Sequence, residues 1–238
     1  MRYLKSFLQE SVTLQYHSEL NPKFWVNVFL KDEVRKHLID IAKEWLKFTE
    51  TPASFVDDIV LTGGNANYNY TDNSDLDVHI ILKPEKLNIC KKDPNYYKDK
   101  KLIWSLTHDI KIYNIPVEVY AQTENIEIPK NQGVYSLKTG RWIVKPENLN
   151  INFSNDSLLQ KKIEDHIYQI EHAINNTTDN RAAEKLLNKF QKLRGASIAK
   201  DGEFSQDNLI YKELRNLGYI DKIRKFILSM TDKKLSLR

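Results

Sequence analysis

The stretch Leu61-Thr62-Gly63-Gly64-Asn65-Ala66-Asn67-Tyr68-Asn69-Tyr70-Thr71-Asp72-Asn73-Ser74-Asp75-Leu76-Asp77-Val78-His79 decides how this chain is read. It opens at the end of an apolar run, Asp58-Ile59-Val60-Leu61-Thr62, that has the look of a strand. Gly63-Gly64 then allows a tight turn and a close backbone approach to a ligand phosphate, because neither residue carries a Cβ. Ten residues rich in Asn, Tyr and Thr separate Gly64 from Asp75. They return the chain to a second strand, Asp75-Leu76-Asp77-Val78-His79-Ile80-Ile81-Leu82, which alternates and then turns continuously apolar, as a central strand does. Residues two apart in a strand share a face, so Asp75 and Asp77 stand side by side with Cα atoms about 6.5–7 Å apart. Two acids leading an apolar strand are costly unless hydrogen-bond donors or a cation neutralise them.

Working outward, periodicity divides the chain into three parts. Before the motif, Val34, Leu38, Ile41, Trp45 and Phe48 recur in steps of 4, 3, 4 and 3, which predicts a helix between Lys31 and Glu50 that stops before Pro52. A shorter helix is expected around Tyr3–Leu14. Residues 54–146 read as strands with one helix among them: Ile103, Leu106, Ile110 and Tyr113 mark the helix, and Ile115–Tyr120 alternates as a further strand. Gly133–Leu137 and Arg141–Val144, flanking Lys138-Thr139-Gly140, predict a hairpin. From about residue 155 four helical stripes follow: Leu159/Ile163/Ile170, Leu186/Phe190/Leu193, Ile210/Leu214/Leu217 and Ile223/Phe226/Met230, with Ser205 at the expected N-cap of the third. No repeat and no Pro/Ser/Gly linker separates these parts. The expected organisation is N-terminal helices packing on the core over 1–52, a mixed α+β core over 53–150 and a C-terminal helical domain over 151–238.

Composition sets limits on what such a chain does. With 238 residues, 41% hydrophobic, 29% charged and only 7 Gly and 7 Pro, it is neither disordered nor fibrous. A single cysteine, Cys90, excludes an internal disulfide framework and a Cys-rich zinc site. His108, His166 and His172 have no second ligand at metal spacing, so no zinc site is expected from them. The first ten residues contain no uninterrupted apolar run of the secretory kind, and no stretch reaches the roughly 20 apolar residues of a spanning helix. A soluble cytoplasmic protein with no membrane partner is the expectation. Net charge is +4, and all of it lies in residues 156–238, with 16 basic against 12 acidic side chains. That excess suits a polyanion or a triphosphate, and equally a solvated helical surface.

The stretch quoted above resembles the signature of the DNA polymerase beta nucleotidyltransferase superfamily: an apolar residue, Gly, then Gly or Ser, about ten residues, and Asp-apolar-Asp. Leu61-Thr62 takes the strand end, Gly63-Gly64 the loop and Ser74-Asp75-Leu76-Asp77-Val78 the acidic strand. A wider and weaker likeness, through Gly133-Val134-Tyr135-Ser136-Leu137, Trp142 and Gly195 to Arg215, is to nucleotidyltransferase-like proteins of bacteriophages, which would place the chain in a host cytoplasm. The resemblance implies a third carboxylate from a later strand, and Glu118, flanked by Val117 and Val119, is its match, where many members have the shorter Asp. It implies that Asp75, Asp77 and Glu118 hold Mg²⁺, or Mn²⁺ in its place, and that an NTP is the substrate. Gly63, Gly64, Asn65 and Ser74 would then contact its phosphates, with Lys212 and Arg215 as basic candidates from the C-terminal part and Arg194 and Lys200 beside them. Tyr68, Tyr70 and Tyr211 are candidates to stack on a base, and His79, on the Asp77 face, reads as a structural hydrogen-bonder.

The expected reaction moves a nucleoside monophosphate from the NTP to a hydroxyl, with pyrophosphate released. An RNA 3′ end, a protein side chain, a small molecule or another nucleotide are the acceptors weighed. The alternative is a catalytically silent module that binds a nucleotide or a partner, of antitoxin or decoy type. Neither the acceptor, the base nor the oligomeric state is written in the residues.

Overall fold

The computed structural model describes residues 13–14, 16–123, 128, 131–149, 153, 156–176 and 179–237. The chain divides into two compact units, Tyr16–Asn150 on one side and Ile151–Arg238 with Met1–Gln15 on the other.

The unit Tyr16–Asn150 is built on a six-stranded mixed sheet in the order β5-β6-β4-β3-β7-β8. Its strands are β3 (Val56–Thr62), β4 (Leu76–Leu82), β5 (Lys111–Ile112), β6 (Ile115–Gln122), β7 (Val134–Ser136) and β8 (Arg141–Val144). A small hairpin of β1 (Trp25–Val26) and β2 (Phe29–Leu30) precedes them. β4 lies in the interior, antiparallel to β3 and parallel to β6, and every other pairing in the sheet is antiparallel. The parallel pair needs a crossover, which α2 (Ile89–Lys92) and α3 (Pro94–Thr107) supply.

β4 and its parallel neighbour β6 alternate along their length. In β4, Leu76, Val78, Ile80 and Leu82 are buried while Asp77, His79 and Ile81 are half-buried; in β6, Val117, Val119 and Ala121 are buried while Glu118, Tyr120 and Gln122 are half-buried. The expected continuously apolar end of β4 therefore still follows the two-residue period: one sheet face is sealed and the other remains partly open. The sealed face shares one core with α1 (Asp32–Phe48), which contributes Val34, Leu38, Ala42, Trp45 and Leu46, and with Phe24, Trp25 and Leu30 of the first hairpin. The Trp25 indole stacks on Trp142 at 4.8 Å and meets the Tyr135 ring edge-on at 5.1 Å.

The hairpin of β7 and β8 forms as the spacing predicts, turning through Leu137–Gly140, and the strands read at 58–62, 75–82 and 115–120 are present. The helix of the crossover departs from expectation. It ends at Thr107, and its buried residues are Tyr97 and Trp104; Ile103 and Leu106 face solvent, 46% and 77% exposed. Tyr97 and Trp104 carry more apolar area than the aliphatic stripe, so burying them wins. Ile110 and Tyr113 lie beyond the helix, where Tyr113 and Asn114, both with positive φ, form the two-residue turn between β5 and β6. Of the early helix expected around Tyr3–Leu14, all but Thr13 and Leu14 lies outside the described residues, and those two are not helical.

In the other unit, α4 (Ser157–Asn175), α5 (Arg181–Asp201) and α7 (Tyr219–Leu235) each pack against α6 (Gln206–Asn216). α6 is consequently enclosed well beyond one stripe: Asn208, Leu209, Ile210, Tyr211, Glu213 and Leu214 are all buried. The buried Glu213 carboxylate accepts hydrogen bonds from the Thr13 amide and hydroxyl, both at 2.7 Å, and from the Leu14 amide at 3.1 Å. Ser205 occupies the N-cap position of α6 by its extended backbone, yet its hydroxyl makes no capping bond. Among the described residues no helix is long and apolar enough to cross a membrane.

Candidate functional site

The acidic residues come together through strand register. Parallel pairing of β4 and β6 sets Asp77 opposite Glu118, on the half-open face, while Val78 and Val119 turn into the core. Asp75 directly precedes β4. One oxygen from each of Asp75, Asp77 and Glu118 lies within 4.8 Å of the other two, and all three residues are half-buried. Three hard oxygen donors gathered at this separation repel one another unless positive charge stands among them. Their chemistry suits a hard divalent ion such as Mg²⁺ or Mn²⁺.

The turn after β3 is shaped to this cluster. Gly63 has φ +78°, in the region that favours glycine, and a Cβ there would overlap the Asp77 carboxylate. At Gly64 an added Cβ would come within 2.8 Å of the Ser74 hydroxyl. The loop between the two strands is braced from inside. Asn65 is fully buried; its amide nitrogen donates to the Ser74 and Asp75 carbonyls at 2.9 Å, and its amide oxygen accepts from Asn21 at 2.8 Å. The Ser74 hydroxyl, also buried, accepts from the Thr71 amide at 2.9 Å, and the Asn67 amide donates to the Gly63 carbonyl at 2.8 Å. For Asn65 and Ser74 the structure thus assigns a bracing role to side chains expected to face phosphate. Gly63 and Gly64 are the half-buried part of this turn.

Around the carboxylates stand residues that sequence reasoning weighed lightly or missed. His79 shares the Asp77 face, its Nδ1 3.3 Å from the Gln122 side-chain oxygen and its ring edge-on to Tyr120 at 5.6 Å. Burial pushes the His79 imidazole below its ordinary value, Lys101 adds to that, and the Gln122 hydrogen bond and Glu118 oppose it. The hydrogen bond to Gln122 fits the structural role expected of the ring. Lys101 is the residue missed: from α3 its ammonium reaches Glu118 Oε2 at 2.6 Å and lies 5.8 Å from the centre of the Tyr120 ring. Its signal was present in the spacing, since Tyr97, Lys101 and Trp104 stand in steps of 4 and 3 and so share one helical face.

Tyr68 is buried, and Tyr70 stacks face to face on His17 at 3.7 Å. The basic candidates Lys212 and Arg215 belong to the helical unit, on α6. Lys212 is ion-paired with Glu203, each side chain only 11% exposed. The Arg215 Nε is buried with no hydrogen-bond partner among the described residues. Arg194 donates to the Asn208 side chain at 3.0 Å and lies over the buried Tyr211 ring at 4.7 Å, whereas Lys200 is exposed.

No protein-family model matches the chain, and no curated protein sequence does. Among solved structures it is similar to the Elizabethkingia meningoseptica CdnE cyclic dinucleotide synthase with GTP and Apcpp, at 13% identity and a TM-score of 0.25, over 86% of this chain and 85% of that one. It is also similar to the STING-associated CdnE c-di-GMP synthase from Capnocytophaga granulosa, at 10% identity and a TM-score of 0.21, over 98% of this chain and 99% of that one. At these values the functional reading rests on the geometry of the site itself.

Proposed function

We propose that this protein is a nucleotidyltransferase, joining a nucleoside monophosphate from an NTP to an acceptor hydroxyl. The observation that supports it is the meeting of Asp75, Asp77 and Glu118, with ligand oxygens within 4.8 Å, beside a glycine turn. In the reaction an acceptor oxygen bonds to the α-phosphorus, the bond from that phosphorus to the bridging oxygen breaks, and pyrophosphate leaves. Asp75, Asp77 and Glu118 would hold Mg²⁺ or Mn²⁺, which when bound neutralises phosphate charge and favours the deprotonated acceptor. Asp77 and Glu118 are held by a shared strand register, so they present their oxygens without reorganisation of the backbone. Without a Cβ, Gly63 lets the turn lie directly against the Asp77 carboxylate, and the backbone of Gly63 and Gly64 would contact the β- and γ-phosphates.

A silent nucleotide- or partner-binding module is favoured by one observation: Lys101 already neutralises part of the charge on the triad. Incubation with each α-labelled NTP and Mg²⁺ separates the readings, with arms containing total RNA, protein lysate and no added acceptor. The last arm also detects a dinucleotide product. Transfer of label with pyrophosphate release supports the enzyme, and Asp77→Asn should abolish that transfer while leaving the circular dichroism spectrum unchanged. Nucleotide binding without pyrophosphate release in any arm would establish the silent module instead.

A further inference from the structure

The Lys101–Glu118 pair joins a helix to the acidic cluster. Lys101 sits one turn from both Tyr97 and Trp104, which are 2% and 6% exposed and anchor α3 in the core beside β6. The root of the lysine stem is therefore fixed, and only its flexible end is free to choose a position. That end lies at 2.6 Å from Glu118 Oε2 and over the Tyr120 ring, two residues further along the same face of β6. An ordinary surface ion pair contributes little, because water solvates both partners nearly as well. This pair differs in its acidic partner, one of three carboxylates whose oxygens lie within 4.8 Å of one another. Such a cluster without a cation carries a self-repulsion that a single positive charge at contact distance relieves.

We infer that Lys101 is a tethered counterion of the carboxylate cluster: its ammonium holds Glu118 in the cation-free protein and competes there with a divalent cation for the same carboxylate. This rests on the reading of Asp75, Asp77 and Glu118 as a cation site, and it adds how that site is regulated. Glu118 must change partner, from the ammonium to the divalent ion, before it ligates. Two features make that exchange feasible. The Lys101 and Glu118 side chains are 35% and 44% exposed, so water receives the released ammonium. The Tyr120 ring gives the same ammonium a cation–π partner on the same strand. Glu rather than Asp at this position has a physical use as well, because the additional methylene and torsion let one carboxylate address two partners.

The direction of the effect separates this role from a structural one. If Lys101 merely held the site in shape, its removal would weaken cation binding; if it competes, removal strengthens it. The experiment is isothermal titration of the intact protein with Mn²⁺ alone, without nucleotide. It compares the wild type with Lys101→Met, which keeps the stem, Lys101→Arg, which keeps the charge, and Asp77→Asn. Lys101→Met should bind Mn²⁺ about five- to tenfold more tightly, the scale of one partly solvated charge at contact distance, while Lys101→Arg stays within about twofold. In parallel, the melting temperature of Lys101→Met should fall in EDTA and rise further than that of the wild type on adding Mn²⁺. Equal or weaker Mn²⁺ binding by Lys101→Met, with Asp77→Asn abolishing binding, would overturn the counterion role and leave the cation site standing. Unaltered Mn²⁺ binding by Asp77→Asn would instead remove the cation site, and the inference with it. Should Lys101→Met not fold, Lys101→Gln answers the same question.

Discussion

Gly63 shows how much can depend on a single missing Cβ. Its φ of +78° is unfavourable for other residues, and its Cα faces the Asp77 carboxylate with no room for a methyl group. Gly63→Ala should therefore destabilise the protein by about 1–3 kcal/mol through backbone strain and overlap, seen as a shifted urea midpoint. Because the overlap is with Asp77 itself, the same variant should lose Mn²⁺ binding. Retained binding would show that the turn does not shape the site. The value of this glycine was legible in the sequence as a Gly-Gly pair after a strand. Its contact with Asp77 was not, since it depends on the exact path of the ten-residue loop. Asn65 teaches the converse: a polar loop residue near a proposed ligand was expected to face it, and is instead buried where it ties two strand ends together.

At the scale of elements, α3 is where local pattern and tertiary packing disagree. Ile103, Leu106, Ile110 and Tyr113 have good helical spacing, yet the helix turns Tyr97 and Trp104 inward and ends before Ile110. Trp104→Ala should cost about 3–5 kcal/mol, as large-to-small changes in a core do, whereas Leu106→Ser should change stability by no more than about 0.5 kcal/mol. Denaturant unfolding of the two variants decides the matter, and a larger loss from Leu106→Ser would restore the aliphatic face as the buried one. The orientation matters for the site, because the face that buries Tyr97 and Trp104 also carries Lys101 to Glu118. By contrast, the alternation of β4 and β6 was readable directly, since a two-residue period needs no knowledge of the partner strand.

For the whole molecule, Glu213 illustrates a link that no local pattern contains. It lies in α6, 1% exposed, and accepts three hydrogen bonds from Thr13 and Leu14, about 200 positions earlier in the chain. Glu213→Ala would leave those donors without their acceptor, at a cost of about 2–4 kcal/mol. Hydrogen exchange should register the loss as faster exchange in α4, α5, α6 and α7, with β3, β4 and β6 still protected, because the residues concerned all belong to one of the two compact units. Uniformly faster exchange across both units would show that they open together. A carboxylate on a helix with polar neighbours reads from sequence as a solvated position; burial follows only from α6 being surrounded by three other helices.

Sequence alone settled the order and type of most elements, the mixed α+β class and the candidacy of Asp75 and Asp77, because each of these rests on short-range periodicity and spacing. It also proposed Glu118 through a resemblance. Tertiary structure decided that Asp77 and Glu118 stand opposite each other, that Gly63 abuts Asp77, that Asn65 and Ser74 face inward, and that Lys101 pairs with Glu118. Those facts depend on strand register and on which helix face is buried. Both are chosen by competition among distant side chains for a limited core, and that competition has no counterpart in neighbouring letters of the chain.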